Sequence, residues 1–415
     1  MKTDKAPEHE SILRPPVVRA GLARSTIIIG IVSLFADIST EVMYPLLPAF
    51  VTEVLRAPVT ALGLIEGVAQ GASSVVSGIS GYISDKLRRP VAVAFAGYAL
   101  TAVCKPIIGA AGAWPVVLAA RFGDRFGKGI RTAPKDALLA DSAPPDQRGR
   151  AFGFERAMDS TGAVLGPLLA LALAGWLGFG PRMIFYLATI PATMAALLIL
   201  AVRDQYHGTV RSPASLRLNL AGTTPQYRKL MIVTAVFGLA NSANAFLILR
   251  ASRLGLATGW TILAYALYNA IAAIASMPAG SASDKIGRRN LLVIGYAIYA
   301  LVYAGFGAAT SPWAVWPLFA AYGLFPALTD GVGKALAVDT AGKAGRATAI
   351  GMYSMVVGVT QIAASFIGGK LWDAVSPAAT FYAGALLAAA AVTLMVVLLP
   401  AKTGGVSHGD AAGAH

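Results

Sequence analysis

The fold of this chain is decided by the stretch Gly280-Ser-Ala-Ser-Asp-Lys-Ile-Gly-Arg-Arg289, a short polar connection between two long apolar runs. A near copy, Gly81-Tyr-Ile-Ser-Asp-Lys-Leu-Arg-Arg89, joins two apolar runs in the first half of the chain. In both copies a glycine is followed four positions later by an aspartate and a lysine, and then by two arginines. Two copies at matching places indicate a long internal repeat.

A second set of matching positions extends this repeat beyond the two loops. The first half carries an aspartate, an arginine and a glycine whose offsets nearly equal those of the same residue types in the second half. The matching residues are Asp141, Arg148 and Gly153 in the first half and Asp339, Arg346 and Gly351 in the second. The halves of the chain are therefore expected to share one architecture.

Apolar runs near 20 residues long fill most of the sequence, and a run of this length can cross a bilayer as an α-helix. Hydrophobic residues make up 56% of the 415, and charged residues only 13%. A soluble domain carries about 25% charged residues, so this chain could not cover a water-facing surface. We therefore predict an all-α membrane protein. The twelve predicted spans are 26–50, 60–83, 91–111, 114–140, 151–177, 182–202, 229–249, 260–283, 290–309, 313–338, 346–370 and 377–399.

The longest polar break follows the sixth span and divides the spans into two sets of six. It contains Pro213, Pro225 and several basic residues. The predicted organisation is two pseudo-symmetric six-helix bundles. Its parts are a cytoplasmic N-terminal tail (1–25), an N-terminal bundle (26–203), a cytoplasmic linker (204–228), a C-terminal bundle (229–400) and a cytoplasmic tail (401–415).

Lysine and arginine gather on alternate connections between the predicted spans. The connections on the side of the N-terminus hold most of them, whereas the opposite connections hold little beyond Arg56, Arg182, Arg250 and Arg253. Because basic connections stay in the cytoplasm, both termini are expected there, in a multi-pass protein of the cell membrane or, in a two-membrane cell, of the inner membrane. The net charge of +14 thus reflects topology, and nucleic-acid binding is not expected.

The two loop copies resemble the signature of the major facilitator superfamily, G-x-x-x-D-[RK]-x-G-[RK]-[RK]. The second copy fits throughout, whereas Arg88 replaces the second glycine in the first. The resemblance covers residues 26 to 400 and implies secondary active transport of a small solute by alternating access, with no cofactor because an ion gradient replaces ATP. The implied gate residues are Gly81, Asp85, Lys86, Arg89, Gly280, Asp284, Lys285 and Arg288. In the alternative interpretation, the basic residues only set topology.

A glycine motif in span five is similar to the G-x-x-x-G-P-x-x-G-G motif of drug/proton antiporters in that family. It runs Gly162-Ala-Val-Leu-Gly166-Pro167-Leu-Leu, with Ala170 and Leu171 in place of the last two glycines. Glycines four apart let helices approach closely, and proline bends a helix. The resemblance favours proton-coupled efflux. Generic helix packing and proton-coupled uptake of an organic anion are the alternatives.

Charged side chains lie inside the predicted spans, mainly in the first half. In span four, a polar stripe about 80° wide, at about 100° per residue, holds Arg121, Arg125, Lys128, Thr132 and Lys135. Each charge facing lipid would cost about 2.5–3.5 kcal/mol, so the stripe is expected to face the protein interior. The predicted proton-coupling and substrate-cavity residues are Asp37, Glu41, Glu66, Arg121, Asp124, Arg125, Lys128, Asp159, Asn241 and Asp330.

Two interpretations of these charges are open. In the functional one, Asp37, Glu41 or Asp159 binds a proton in turn with substrate, while Arg121 or Arg125 contacts an anionic group. An organic anion or zwitterion is then the expected substrate, with an amphipathic drug as a further alternative. In the structural one, acids and bases form a fixed salt-bridge network between spans one, two, four and five. In span ten, the oppositely charged residues at 330 and 334 are expected to neutralise each other.

Several other classes of protein are disfavoured. The histidines, His9, His207, His408 and His415, all lie outside the predicted spans, which excludes a histidine relay or zinc site within them. The stretch 123–129 lacks the spacing of a phosphate-binding loop. A membrane-embedded enzyme would need a catalytic base or metal cluster, and a sensor would need a large soluble appendage, so neither is expected. The expected partners are a small-molecule substrate, protons and membrane lipid, and the expected state is a monomer.

Overall fold

The structure, a computed structural model, describes residues 22–87, 89–144, 147–202, 223–342 and 346–399, but not the side chains of residues 78, 79, 81–87, 284, 346 and 347. Within these residues the chain forms twelve long helical segments and no strand. They are α1 (Arg24–Val54), α2 (Val59–Leu87), α3 (Pro90–Ala110), α4 (Trp114–Asp141), α5 (Arg148–Gly175), α6 (Pro181–Ile199), α7 (Pro225–Arg253), α8 (Thr258–Ile286), α9 (Arg288–Ala308), α10 (Val315–Thr340), α11 (Arg346–Ala374) and α12 (Pro377–Leu398).

Each helix overlaps its predicted span over nearly its whole length, so the prediction of an all-α chain with twelve spans is confirmed. Ten of the described helices are long and apolar enough to cross a membrane. The other two are α4, which carries charges along most of its length, and α10, which carries them in its second half. These two helices are spans because of their place in the bundle rather than their composition.

The packing of α1–α6 recurs in α7–α12. In the first half α1 packs on α5 and α6, α2 packs on α4, and α3 packs on α4 and α6. The same pairs occur in the second half when each helix number is raised by six. The two halves are therefore pseudo-symmetric, as the repeated motifs predict. We call the face where α1 begins and α12 ends the terminal face, and the other the opposite face.

The two halves meet mainly where α2 packs on α11 and α5 packs on α8, and these two contacts are pseudo-symmetry equivalents of each other. Glycines allow the first contact. A Cβ atom on Gly67 would lie 3.0 Å from the Ser365 side chain, and one on Gly369 would lie 2.7 Å from the backbone of Thr60. Small residues at four-residue spacing are typical of such close membrane interfaces.

Prolines interrupt α1 near its end. The regular helix runs from Arg24 to Glu41, and short turns then continue to Val54. Pro45 and Pro48 lie in these turns, where a proline removes a backbone donor and disfavours a continuous helix. The predicted span is thus regular in its first two thirds only.

The predicted domain boundaries stay predictions. Residues 203–222, which hold the end of the N-terminal bundle and most of the linker, lie outside the described residues. The helix α7 already begins at Pro225, within the last residues of the predicted linker. The tails 1–21 and 400–415 also lie outside the described residues. The single cysteine, Cys104, is buried between α3 and α4, where a Cβ on Gly123 would lie 2.8 Å from its sulfur.

Candidate functional site

A cavity of about 330 Å³ lies between the two halves. The first half contributes α2 and α4, and the second half contributes α7, α9, α10 and α11. On α2 and α4 the lining residues lie in the part of the helix nearer the terminal face, as do most of those on α10. The lining residues are Ser73, Ser74, Ser77, Thr132, Thr234, Phe237, Gly238, Asn241, Tyr296, Phe325, Thr329, Asp330, Lys334, Tyr353, Ser354 and Val357. Asn241 and Asp330 are the two predicted site residues among them.

On the opposite face, the halves are joined by a carboxylate at the end of α11. Asp373 accepts hydrogen bonds from the backbone N–H groups of Val59 and Thr60, at 3.1 and 2.7 Å, and from the Thr60 hydroxyl at 2.6 Å. It therefore caps the N-terminus of α2 across the boundary between the halves. An acidic cap satisfies free N–H groups and complements the helix dipole. The halves are thus held together at this face.

Farther from this face, hydrogen bonds between the halves run from α8 to α1 and α5. The Tyr265 hydroxyl donates to Oε2 of Glu41 at 2.8 Å, and the Asn269 side chain donates to the carbonyl oxygen of Ala163 at 3.0 Å. Tyr265 also stacks on Tyr44 of α1, with ring centroids 5.4 Å apart. Glu41, a predicted site residue, is therefore at the boundary between the halves.

The polar stripe of α4 faces protein rather than lipid, as predicted. Arg121 is 2% exposed and donates two hydrogen bonds to Oε1 of Glu66, at 2.9 and 2.6 Å. It also contacts Asp124 at 3.2 Å, and Lys105 of α3 contacts the same aspartate at 3.2 Å. Arg125 completes the group, 4.0 Å from Asp124. These five side chains form a buried ion cluster of three cations and two carboxylates.

The buried ion cluster does not line the cavity described above, although four of its members are predicted cavity residues. Breaking such a pair by removing one partner costs about 3–5 kcal/mol, because a buried charge is left unpaired. The geometry therefore fits the structural interpretation for Glu66, Arg121, Asp124 and Arg125. The sequence shows that these charges must find partners, but it does not show which partners they find.

Two further cations of α4 are paired nearer the terminal face. Arg131 lies over the Tyr98 ring at 4.3 Å and donates to the Thr101 hydroxyl at 3.1 Å. Lys135 is paired with Glu155 of α5. These contacts attach α4 to α3 and α5. Along α4, the half-buried Lys128 lies between these paired cations and the buried ion cluster.

Two predicted proton-binding residues are brought together between α1 and α5. A Cβ on Gly162 of α5 would lie 3.0 Å from the Cβ of Asp37, and Asp159 lies one turn earlier on α5. The two carboxyl groups are therefore near neighbours that influence each other electrostatically, with Lys128 as the nearby cation. The close approach of the two helices depends on the glycine motif. A Cβ on Gly162 would lie 2.6 Å from the Leu34 carbonyl oxygen.

The other glycine of this motif holds the same two helices together one turn farther along. A Cβ on Gly166 would lie 2.6 Å from the Cβ of Glu41, and Pro167 follows it in a buried position. The motif therefore positions both acidic residues of α1. Asp159 is also paired with Arg156 at 3.2 Å.

The helix α7 is broken near its middle, which its apolar sequence did not predict. It is helical from Pro225 to Ala240 and again from Ala245 to Arg253. Neighbouring side chains satisfy the backbone groups at the break: the Ala243 N–H donates to Ser365, and the Ala240 carbonyl accepts from Tyr299. Irregular backbone at membrane depth persists only where such partners replace water.

The break places two asparagines in polar surroundings. Asn241 lines the cavity, and Asn244 accepts from the Tyr322 hydroxyl at 2.8 Å and donates to Tyr268 at 3.3 Å. Tyr268 stacks on both Tyr265 and Tyr322. A row of tyrosines thus connects the boundary between the halves with the interior of the second half.

The predicted gate residues are only partly described. The helices include Gly81, Asp85, Lys86 and Asp284. The side chains of the aspartates and the lysine lie outside the described residues. Arg89, Gly280 and Lys285 are exposed. Arg288 donates to Asp339 of α10, and Gly287 before it has φ +87°, which favours glycine. The described contacts of Arg288 therefore stay within the second half.

Comparison with known proteins agrees with this architecture. The model of the Major Facilitator Superfamily matches residues 29–262 and 230–413. The chain belongs to the Major Facilitator Superfamily. An uncharacterized MFS-type transporter of Methanocaldococcus jannaschii is 33% identical over 373 residues, which cover 88% of this chain and 93% of that protein.

Solved structures of this superfamily share the fold at low sequence identity. The nucleoside transporter NupG superposes with a TM-score of 0.75 at 13% identity, covering 91% of this chain and all of that one. A D-xylose–proton symporter superposes with a TM-score of 0.73 at 18% identity, covering 90% and 97%. Members of the superfamily are secondary transporters that work by alternating access. The chain is thus a multi-pass membrane transporter of a small molecule, from a family that is commonly monomeric.

Sequence reasoning missed most of the cavity wall and the Asp373 cap. Hydroxyl residues such as Ser73, Thr234 and Ser354 have no distinctive spacing within apolar spans. A signal for the α2–α11 contact does exist in the sequence, because Gly63, Gly67 and Gly71 recur every four residues along α2.

Proposed function

We propose that this protein is a proton-coupled antiporter that exports a small solute across the cell membrane and works as a monomer surrounded by lipid. The observation that carries the proposal is the proximity of Asp37 and Asp159, whose helices α1 and α5 pack so closely that a Cβ on Gly162 would lie 3.0 Å from the Cβ of Asp37. A pair of ionisable side chains in transmembrane helices, away from lipid, is typical of proton relays in transporters.

The carboxyl pair lies close to the cavity along α4. Lys128 interacts with both carboxyl groups, and Thr132, one turn farther along α4, lines the cavity and donates to the Lys128 carbonyl at 2.7 Å. Two adjacent carboxylates repel each other, and one proton bound between them relieves that repulsion. Release of this proton would return negative charge to the neighbourhood of Lys128. Proton binding can therefore change the charge next to the cavity.

The helix that carries Asp37 also contacts the other half of the molecule. Glu41 is one turn from Asp37 on α1 and accepts the hydrogen bond from Tyr265 of α8. A change of charge on α1 would therefore act on a contact that must break when the halves rock. This arrangement links protonation to the alternating-access motion.

Topology and the α5 glycine motif support export as the direction of transport. The basic connections of the sequence lie at the terminal face, so this face and both termini are assigned to the cytoplasm. The halves are joined at the opposite face, while the cavity lies toward the terminal face. In this state the cavity would load solute from the cytoplasm. The packing of Gly162 and Gly166 against the acidic residues of α1 supports antiport.

Transport by purified protein in liposomes tests this proposal. We expect an imposed pH gradient to drive solute movement, and a protonophore to abolish it. Asp37→Asn and Asp159→Asn are expected to abolish the gradient-driven movement but to retain solute exchange, because exchange needs no net proton transfer. Glu53→Gln is the matched control, since this exposed carboxylate lies at the far end of α1. Gradient-driven transport by Asp37→Asn at the wild-type rate would contradict the proposal.

A further inference from the structure

We propose that the cavity binds a small zwitterion, a solute that carries an ammonium group and a carboxylate a few bonds apart. This inference rests on the proposed function, because it assumes that the cavity holds the transported solute. The main observation is a pair of opposite charges on α10. Asp330 and Lys334 both line the cavity and both are exposed there.

These two charges form no direct ion pair, although Lys334 is the charge that acts most strongly on Asp330. Side chains four apart on a helix are neighbours, and an aspartate before a lysine is a favourable order. Yet, although both side chains are described, no nitrogen–oxygen approach of 4.0 Å or less joins them. Charges from the first half, Arg156 and Asp136, interact with them only at longer range. Each charge is therefore free to contact a solute.

Part of the rest of the wall offers acceptors. The hydroxyl groups of Ser77, Thr132 and Thr329 donate to carbonyl oxygens of their own helices, at 3.0, 2.7 and 2.8 Å. Their oxygen lone pairs therefore remain for a donor such as an ammonium or hydroxyl group. Lys334 and the amide of Asn241 are the clear donors, and they suit a carboxylate.

One buried hydroxyl at the wall has no partner. Thr234 is 2% exposed, and within the described part of the chain its Oγ1 makes no hydrogen bond. Buried polar groups are nearly always paired, so an unpaired one at a cavity wall suits a hydrogen bond to a bound solute. Thr329 donates its hydroxyl to a carbonyl oxygen of its own helix, as threonines in helices commonly do. The Thr234 hydroxyl makes no such bond, so it is available to a solute.

Aromatic rings provide the apolar part of the wall. Phe237 and Tyr296 are parallel, with centroids 3.6 Å apart, and Phe325 lies 5.5 Å from Phe237. This surface suits a short hydrocarbon or ring attached to the charged groups. The volume of about 330 Å³ is at the small end of ligand sites, which favours a solute of amino-acid size over a large amphipathic drug.

The wall does not favour a simple organic anion. The cations that could hold one, Arg121 and Arg125, belong to the buried ion cluster and do not line the cavity. Lys334 is the one lysine among the lining residues, and it is accompanied by Asp330, which would repel a second negative charge. A zwitterion satisfies both charges at once.

Four size-matched solutes in proteoliposomes test the proposal: an aliphatic amino acid, the amine and the carboxylic acid of the same skeleton, and a neutral sugar. We expect gradient-driven transport of the amino acid, with amine and acid at least tenfold weaker. Asp330→Asn and Lys334→Gln should each weaken amino-acid binding, measured by calorimetry, by about tenfold or more, since each removes a charge-assisted contact. Glu53→Gln and Lys370→Gln are matched controls, which lie away from the cavity.

The exchanged variant, Asp330→Lys with Lys334→Asp, separates charge recognition from damage to the fold. It should recover part of the binding that each single variant loses, because the solute can bind in the reverse direction. Transport of the acid or the sugar at the amino-acid rate, unaffected by Asp330→Asn, would overturn the zwitterion class and leave the antiporter standing. If none of the four solutes moves with the gradient although the protein melts cooperatively, the zwitterion class fails, whereas the proposed function fails only when Asp37→Asn transports a solute with the gradient at the wild-type rate.

Discussion

The carboxylate of Asp373 is predicted to hold the opposite face closed. It accepts three hydrogen bonds from Val59 and Thr60 at the start of α2, and it belongs to the other half of the molecule. When the halves separate at this face, all three bonds must break. The substitution Asp373→Ala removes them from the closed state alone. We therefore expect it to shift the conformational equilibrium toward opening.

The size of this shift follows from the geometry. Replacing an N-terminal capping residue by alanine costs about 0.5–2 kcal/mol, and the favourable contact of the negative charge with the helix dipole is about 0.3–1 kcal/mol. The side chain is exposed, so the electrostatic part is reduced by solvent. A loss of about 1–2 kcal/mol remains, which changes the ratio of closed to open molecules by a factor of about 5 to 30.

Distance measurements between spin labels can detect this change. Labels at Glu53→Cys, at the end of α1, and Val375→Cys, after α11, lie on the opposite face in different halves, and both positions are exposed. In lipid nanodiscs, Asp373→Ala should enlarge the long-distance population. Asp373→Asn should do so less, because asparagine is also a good capping residue.

The matched control is Lys370→Ala, one turn earlier on α11, where the lysine lies over the Phe366 ring. It should leave the distances unchanged. Adding Thr60→Ala to Asp373→Ala should have little further effect, because both changes remove the same contact. An unchanged distance distribution in Asp373→Ala would refute the role given to this cap.

Three further substitutions have defined outcomes. Gly162→Leu should separate α1 from α5 and lower the melting temperature by an amount corresponding to about 1–3 kcal/mol, whereas Gly153→Leu on the same helix, with open space around its Cβ, should not. Arg121→Met should destabilise the protein by about 3–5 kcal/mol in thermal unfolding, and Glu66→Gln in the same chain should recover part of that loss. Tyr265→Phe removes a hydrogen bond between the halves and should lower gradient-driven transport several-fold in liposomes at an unchanged melting temperature; an unaltered rate would contradict the link between protonation and motion.

The helices could be predicted from the sequence because hydrophobic length and basic connections act locally. By contrast, the break in α7 depends on partners such as Tyr299 and Ser365, which come from distant parts of the chain. No local sequence pattern around Asn241 predicts this break.

The candidate site was predictable in its charges but not in its pairing. The sequence placed Asp37 and Asp159 inside the spans, yet their meeting depends on the angle at which α5 crosses α1. For Arg121, the sequence left both a cavity role and an ion pair open, and the position of Glu66 favours the ion pair. The cavity wall of the second half consists of common residues, so its polarity becomes visible only when four helices are brought together.

The burial of the single cysteine has a practical consequence. Cys104 is 4% exposed and lies between two tightly packed helices, so thiol reagents should not reach it while the protein is folded. Cysteines introduced at the surface can then be labelled selectively without replacing the native residue. The same thiol becomes reactive once α3 and α4 separate, which makes it a built-in reporter of unfolding for every variant described above.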